Sequence, residues 1–241
     1  MFERWKKRPG SSKHAEPPRP APRAPFEFLT VPGARAADEM TRASTRAGIV
    51  PVLMGDRREF DQVVEQMATH EDDFASIRNA GLALDIEAWM KAQRQAEPDC
   101  YTLDGPEVFG SGSEATPLTP ARELLTGEFR KEVFIGLVPV EEPWLVPAYL
   151  KPGGWNDCPP PDVHLAFFHR WHQRHGAVVT TVTNDIVEFV VSRPPQSVED
   201  SFVLAREQFM YCSDIVHQGV GSLGNLAATL KGSSYWYFWW D

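Results

Sequence analysis

Six consecutive aromatic residues, Tyr235-Trp236-Tyr237-Phe238-Trp239-Trp240, stand just before Asp241. Buried rings of this kind hide roughly 150–250 Å² each, so six remove on the order of 900–1,500 Å² from water. At about 25 cal/mol per Å² that is on the order of 20–35 kcal/mol gross, an upper bound because an unfolded chain is already partly collapsed. The fold has to be built around such a segment. Read as a strand, alternation puts Tyr235, Tyr237 and Trp239 on one face and Trp236, Phe238 and Trp240 on the other. Both faces are apolar, which predicts an interior strand covered on two sides.

The rest of the 241-residue chain narrows the class. No uncharged apolar run approaches the ~20 residues of a membrane-spanning helix, and the opening Met1–Pro9 stretch never reaches the apolar core of a secretory signal. Three cysteines, at positions 100, 158 and 212, are odd in number and far apart, which argues for a reducing compartment and a cytoplasmic protein. Residues 1–25 carry seven Lys or Arg, two acids and six prolines. So few apolar side chains cannot offset the entropy of ordering, and the segment reads as a disordered basic arm. Its formal charge of +5 leaves −14 to residues 26–241 within a total of −9. A body of that charge is repelled by phosphate backbones, so nucleic-acid binding through the folded part is disfavoured.

Element signals are regular from residue 46 onward. Gly48–Met54 suits a strand, with Pro51 favouring an edge or a bulge. Asp56 and Glu59 form a capping-box pair ahead of a helix over 57–69, and a second helix is expected over 84–96. Residues 97–128, rich in Gly and Pro, read as an irregular connection. Val133–Val138 is a buried-strand run, and Trp144–Leu150 reads as a second strand pairing with it. A helix is expected over 162–175, ended by Gly176 as its left-handed cap. Ala177–Thr183 and Ile186–Ser192 form a hairpin. Ser197 opens a helix to Cys212 with Phe202, Val203, Ala205, Phe209 and Met210 on or near its inner face, and Ser222 opens another that Gly232 closes. The expected architecture is α+β, a mixed or antiparallel sheet with helices packed on it. It comprises the arm (1–25), an amino-terminal α/β segment (26–130) and a carboxy-terminal domain (131–241) in β-β-α-β-β-α-α-β order.

Chemistry-bearing side chains concentrate in two loops. Trp155, Asp157, Cys158 and His164 flank one loop–helix junction, and Cys212, Asp214 and His217 follow the 197–212 helix. His164, Phe168, Trp171 and His175 share one stripe of the 162–175 helix, with His172 at its margin. His164 and His175 lie eleven residues apart, roughly 16 Å along the axis, too far to share a metal. Neither loop has the short paired spacing of a zinc motif, so no metal and no cofactor is expected. Gly219-Val220-Gly221-Ser222-Leu223-Gly224 matches G-x-G-x-x-G. It lacks the preceding strand and the acidic residue ~20 positions on that a dinucleotide fingerprint requires.

The segments Gly154–Pro161, His164, Trp171-His172, Arg206-Glu207-Gln208, Tyr211-Cys212, Asp214-Ile215-Val216, Gln218-Gly219 and Trp236–Asp241 together resemble the bacterial domain-of-unknown-function family 4253. The resemblance spans about residues 132–241, and Ser213 stands where many relatives carry proline. It implies a bacterial origin and a boundary near residue 130, and it implies no mechanism. The expected function is therefore a non-enzymatic protein-interaction or regulatory module, for instance of toxin-immunity type, whose acidic body suits a charged protein partner. The alternative is an enzyme or ligand- or metal-binding domain with a pocket between the Trp155–His164 and Asp214–His217 loops.

Overall fold

The computed structural model describes residues 23–96, 98, 108–113 and 116–241. Most of the basic arm, Cys100 and parts of the 97–128 connection lie outside the described residues. The described part is built on one six-stranded mixed sheet, β1 (Glu27–Val31), β2 (Val50–Leu53), β3 (Val133–Val138), β4 (Ala177–Val182), β5 (Ile186–Val191) and β6 (Tyr235–Trp239). Their spatial order is β1-β3-β2-β4-β5-β6. All neighbours are antiparallel except β2 and β4, which meet in parallel at Leu53 and Thr181. The strand that follows residue 130 thus sits between two that precede it, and the sheet crosses the boundary expected there.

Pro51 is not on an outer edge. It pairs with Leu137 of β3, while the single pairing with β4 comes two residues later, at Leu53. A proline without an N–H is tolerated because little ladder is demanded of it on that side. β3 is buried at all six positions, as a strand between two neighbours and two layers must be.

One face of the sheet carries most of the helices, α2 (Arg57–Thr69), α3 (Phe74–Ala83), α4 (Ile86–Ala96), α5 (Val146–Leu150), α6 (Pro161–His175), α7 (Val198–Tyr211) and α8 (Leu223–Leu230). Their main core joins Val52, Phe60 and Phe134 to Phe167, Trp171, Phe189, Tyr211, Trp236 and Phe238. The other face is covered over β2 and β3 by α1 (Ala36–Ala43) and by the turn at 119–121, through Ala36, Met40, Ala121, Ile135 and Leu137.

Local chemistry explains most boundaries. Asp56 and Glu59 close the capping box of α2 as expected. Gly176 ends α6 at φ 60°, and the Ser197 and Ser222 side chains each accept a backbone N–H at the start of α7 and α8. Two expectations are corrected. Trp144–Leu150 is not a strand but a short turn followed by α5, because Pro143 and Pro147 fall where a first helical turn needs no N–H. The carboxy-terminal order is accordingly one strand, two helices, the β4–β5 hairpin, α7, a π-helical turn (Ile215–Val220), α8 and β6. On α7 the inner residues are Leu204, Ala205, Gln208 and Phe209, whereas Val203 is 59% exposed.

The aromatic segment also departs from expectation. β6 is the edge strand rather than an interior one. Trp236, Phe238 and Trp240 are buried, while Tyr237 is 40% exposed and Tyr235 and Trp239 are half-buried. Its outer edge is shielded in part by Cys212, whose thiol donates to the Trp239 carbonyl at 3.1 Å. We predict that Phe238→Ala loses about 3–5 kcal/mol in urea denaturation, and Tyr237→Ala about 1 kcal/mol or less. Equal losses would contradict the one-sided burial of β6.

Candidate functional site

The loop between α5 and α6 is shaped by close approaches. A side chain on Gly153, at φ 82°, would strike the Pro159 carbonyl and the His164 ring. The Gly153 carbonyl accepts Gln66 Nε2 at 2.7 Å, tying the loop to α2. Cys158 N–H then closes a turn onto the Trp155 carbonyl at 2.9 Å, and Pro161 starts α6 where its missing donor is harmless. This places His164 in the first turn of α6, fully buried, with Cys158 Sγ 3.6 Å from its Nε2 and the Tyr211 hydroxyl hydrogen-bonded to its Nδ1.

The second loop follows α7, and both loops converge on Trp240 and Asp241. Asn156 Nδ2 donates to the Asp241 carbonyl at 3.1 Å, and Asp241 N–H donates to Asp214 Oδ2 at 3.1 Å. The Trp240 ring stands edge-on to His164 and Tyr211, at 5.6 and 5.4 Å. The expected loops therefore do meet, and the space between them holds an indole ring.

The remaining candidates are dispersed. Trp155 is half-buried and Asp157 exposed on the first loop, and Asp214 is half-buried. His217 is exposed, its ring 5.3 Å from Phe209. His172 lies toward the other end of α6, its Nδ1 3.0 Å from the Ala177 carbonyl and its Nε2 4.0 Å from Glu142. Within the glycine motif Gly221 takes a left-handed φ of 79° and Gly224 is required by packing. A side chain on Gly224 would strike the Val108 carbonyl, which lies against α8. Among the described residues no three His, Cys, Asp or Glu side chains converge as a metal site.

Electrostatics set what the buried cluster can do. Burial lowers the His164 pKa to about 3 and raises that of Cys212 to about 12, with Cys158 pushed up as well. A thiolate–imidazolium pair is the form such an environment penalises. The cluster is a neutral hydrogen-bonded latch between α6, α7 and the chain beyond β6. Folding lowers the proton affinity of His164, so its contribution is complete above pH 6.5 and is lost as pH falls from there toward 3. The slope expected is about 1.4 kcal/mol per pH unit. We predict that His164→Gln lowers stability at neutral pH and flattens this acid limb in calorimetric scans, and an unchanged limb would contradict the assignment.

Three further features lie outside the candidate site residues, although Glu207 falls in the Arg206-Glu207-Gln208 segment of the family resemblance. Glu207 of α7 is buried, accepting Trp171 Nε1 at 2.5 Å and pairing with Arg170 Nε at 2.7 Å. Glu188 of β5 is buried on the opposite face, accepting the Thr119 N–H at 3.0 Å, the Thr119 hydroxyl at 2.6 Å and the Thr181 hydroxyl. Burial raises the Glu188 pKa against the pull of these bonds. Its contribution to stability is complete below pH 4.5 and is lost as pH rises through the folded value. Glu188→Gln keeps the acceptor for Thr119, and its melting-temperature gain should be larger at pH 8 than at pH 4; the reverse order would refute a desolvated carboxylate.

The third feature is a surface. On the Glu188 side of the sheet, cross-strand pairs align Val178 with Val190 and Tyr235, Glu188 with Tyr237, and Ile186 with Trp239. Val178 and Val190 are each 37% exposed beside the exposed Tyr237. Around the buried Glu188 this half of the face is only partly covered, in contrast to the half beneath α1.

The molecule is thus an α+β protein with a mixed sheet, a sealed polar latch and one half-open aromatic face. Residues 134–241 match the family model described as a domain of unknown function, DUF4253. The searches of curated proteins and of solved structures gave no match.

Proposed function

We propose that this chain is a non-enzymatic protein-interaction or regulatory module of the bacterial cytoplasm, for instance of toxin-immunity type, which binds a basic protein partner. The observation that carries the reading is the half-open face of β4–β6, where the exposed Val178, Val190 and Tyr237 adjoin the half-buried Tyr235 and Trp239 in a patch of β-branched and aromatic side chains. Tyr and Trp are enriched at protein interfaces because they offer rigid, amphipathic area at low entropic cost. Contiguous exposed apolar surface of this kind marks interaction sites more often than it occurs by chance on a monomer. The formal charge of −14 over residues 26–241 favours a basic partner and speeds its encounter.

One further observation supports a binding role over catalysis, and another bears on the compartment. The cluster richest in thiol and imidazole is neutral and buried, the opposite of an activated nucleophile. Cys158 and Cys212 are free and buried, in keeping with a reducing compartment.

Affinity capture from the native host, with wild-type bait beside a Val190→Arg/Tyr237→Arg variant, tests the reading. A basic protein retained by the wild type and lost with the folded variant is the expected result. Equal recovery on both baits, or repeated recovery of nothing, would refute it.

A further inference from the structure

Between Ala121 and Arg130 the chain forms a small hairpin. Arg122 and Phe129 pair across it, Glu123 N–H donates to the Glu128 carbonyl and Gly127 N–H to the Glu123 carbonyl, each at 2.8 Å. Arg122 donates to the Gly127 carbonyl at 2.9 Å while its guanidinium lies 3.8 Å above the Phe129 ring. The base is fixed by Arg130, whose N–H donates to Ala121 and whose side chain pairs with Glu59. At the tip Leu124 is 92% and Leu125 96% exposed. Two adjacent leucines held bare on a cross-braced turn form a preorganised finger with an apolar end; Glu123 lies 4.0 Å from Arg130, and Glu128 is an exposed acid beside the leucines. Preorganisation is what lets so small an element bind, because little entropy remains to be lost.

The helix layer holds its complement. Between α4 and α7 runs a groove of about 400 Å³ that includes Met90, Val203, Met210, Lys91, Arg94 and Arg206. Val203 is 59% exposed, with Met90 and Met210 half-buried. The acids of the same groove are already engaged, Glu87 with Arg170 and Glu207 with Arg170 and Arg174. A basic rim around an apolar floor is unexpected on a chain of net charge −9. It suits the finger's two leucines and its exposed Glu128. Flexible methionine side chains also suit a floor that receives leucines.

We propose that the Leu124–Leu125 finger of one molecule docks into the α4–α7 groove of a second copy. The near-complete exposure of both leucines means a molecule's own groove is not their seat, so the contact is heterologous, finger to groove between copies. Apolar insertion supplies affinity. The Glu128 carboxylate facing Lys91 and Arg94 supplies orientation and makes the association weaken with salt.

Sedimentation equilibrium of the full chain tests this with two defective variants, Leu124→Asp/Leu125→Asp in the finger and Lys91→Glu/Arg94→Glu in the groove. Wild type should show an average mass that rises with concentration above the 27.1 kDa of one chain and falls with added salt. Each variant alone should remain at one chain mass with an unaltered melting temperature. An equimolar mixture should regain association, because one intact finger then meets one intact groove. A wild type that stays monomeric, variants that associate like wild type, or a mixture that fails to recover would each overturn the proposal. Membrane docking of the finger is the competing outcome. Leucine-dependent flotation with neutral vesicles and no self-association would establish it and remove the proposal.

Discussion

The stacking of Trp171 on Phe238, with ring centroids 5.2 Å apart and planes 7° from parallel, joins the helix layer to the edge of the sheet. Tyr211 stands edge-on to both rings, which brings the end of α7 into the same cluster. Phe189 and Trp236 complete the ring of neighbours. The Trp171 indole N–H is placed on the Glu207 carboxylate. That carboxylate in turn needs cations, and Arg170 and Arg174 provide them. One apolar contact thus dictates a chain of polar ones that reaches the surface of α6 and sets the arginine positions beside the α4–α7 groove.

The polar groups inside the protein serve as joints. His164, Cys158, Tyr211 and Cys212 connect α6, α7 and the chain beyond β6 without carrying charge. Glu188 connects β5 to the turn at 119–121 and thereby anchors the segment that leads into the finger. Each joint sits where two elements remote in sequence meet, and each is specific because an unmatched polar group in such a place costs about 1–3 kcal/mol. The surfaces flanking these joints are the aromatic half-face and the finger.

Much of this was legible in the sequence. Capping residues announced α2, α7 and α8, Gly176 announced the end of α6, and β-branched runs announced the β4–β5 hairpin, because each signal acts within a few residues. Pro51 misled because tolerance of a missing donor depends on how much ladder the neighbour demands, a tertiary property. Trp144–Leu150 misled because a short apolar run fits either period, and the two prolines decided for a helix. The proximity of Cys158 to His164 followed from their spacing, whereas the indole of Trp240 lying between the loops required the register of β6. Leu124 and Leu125 fell in a stretch with no periodicity, so nothing local distinguished exposed leucines from buried ones.

The order of strands has a consequence for the family-matched segment. Residues 134–241 hold nearly all of β3 and the whole of β4, β5 and β6, yet β3 and β4 never touch, since β2 lies between them. Excised at that boundary, the segment would keep an arch with its keystone missing, and its most buried strand would lose both of its partners. In this chain the residues before 134 therefore complete the sheet, lending the matched segment the two strands that flank β3.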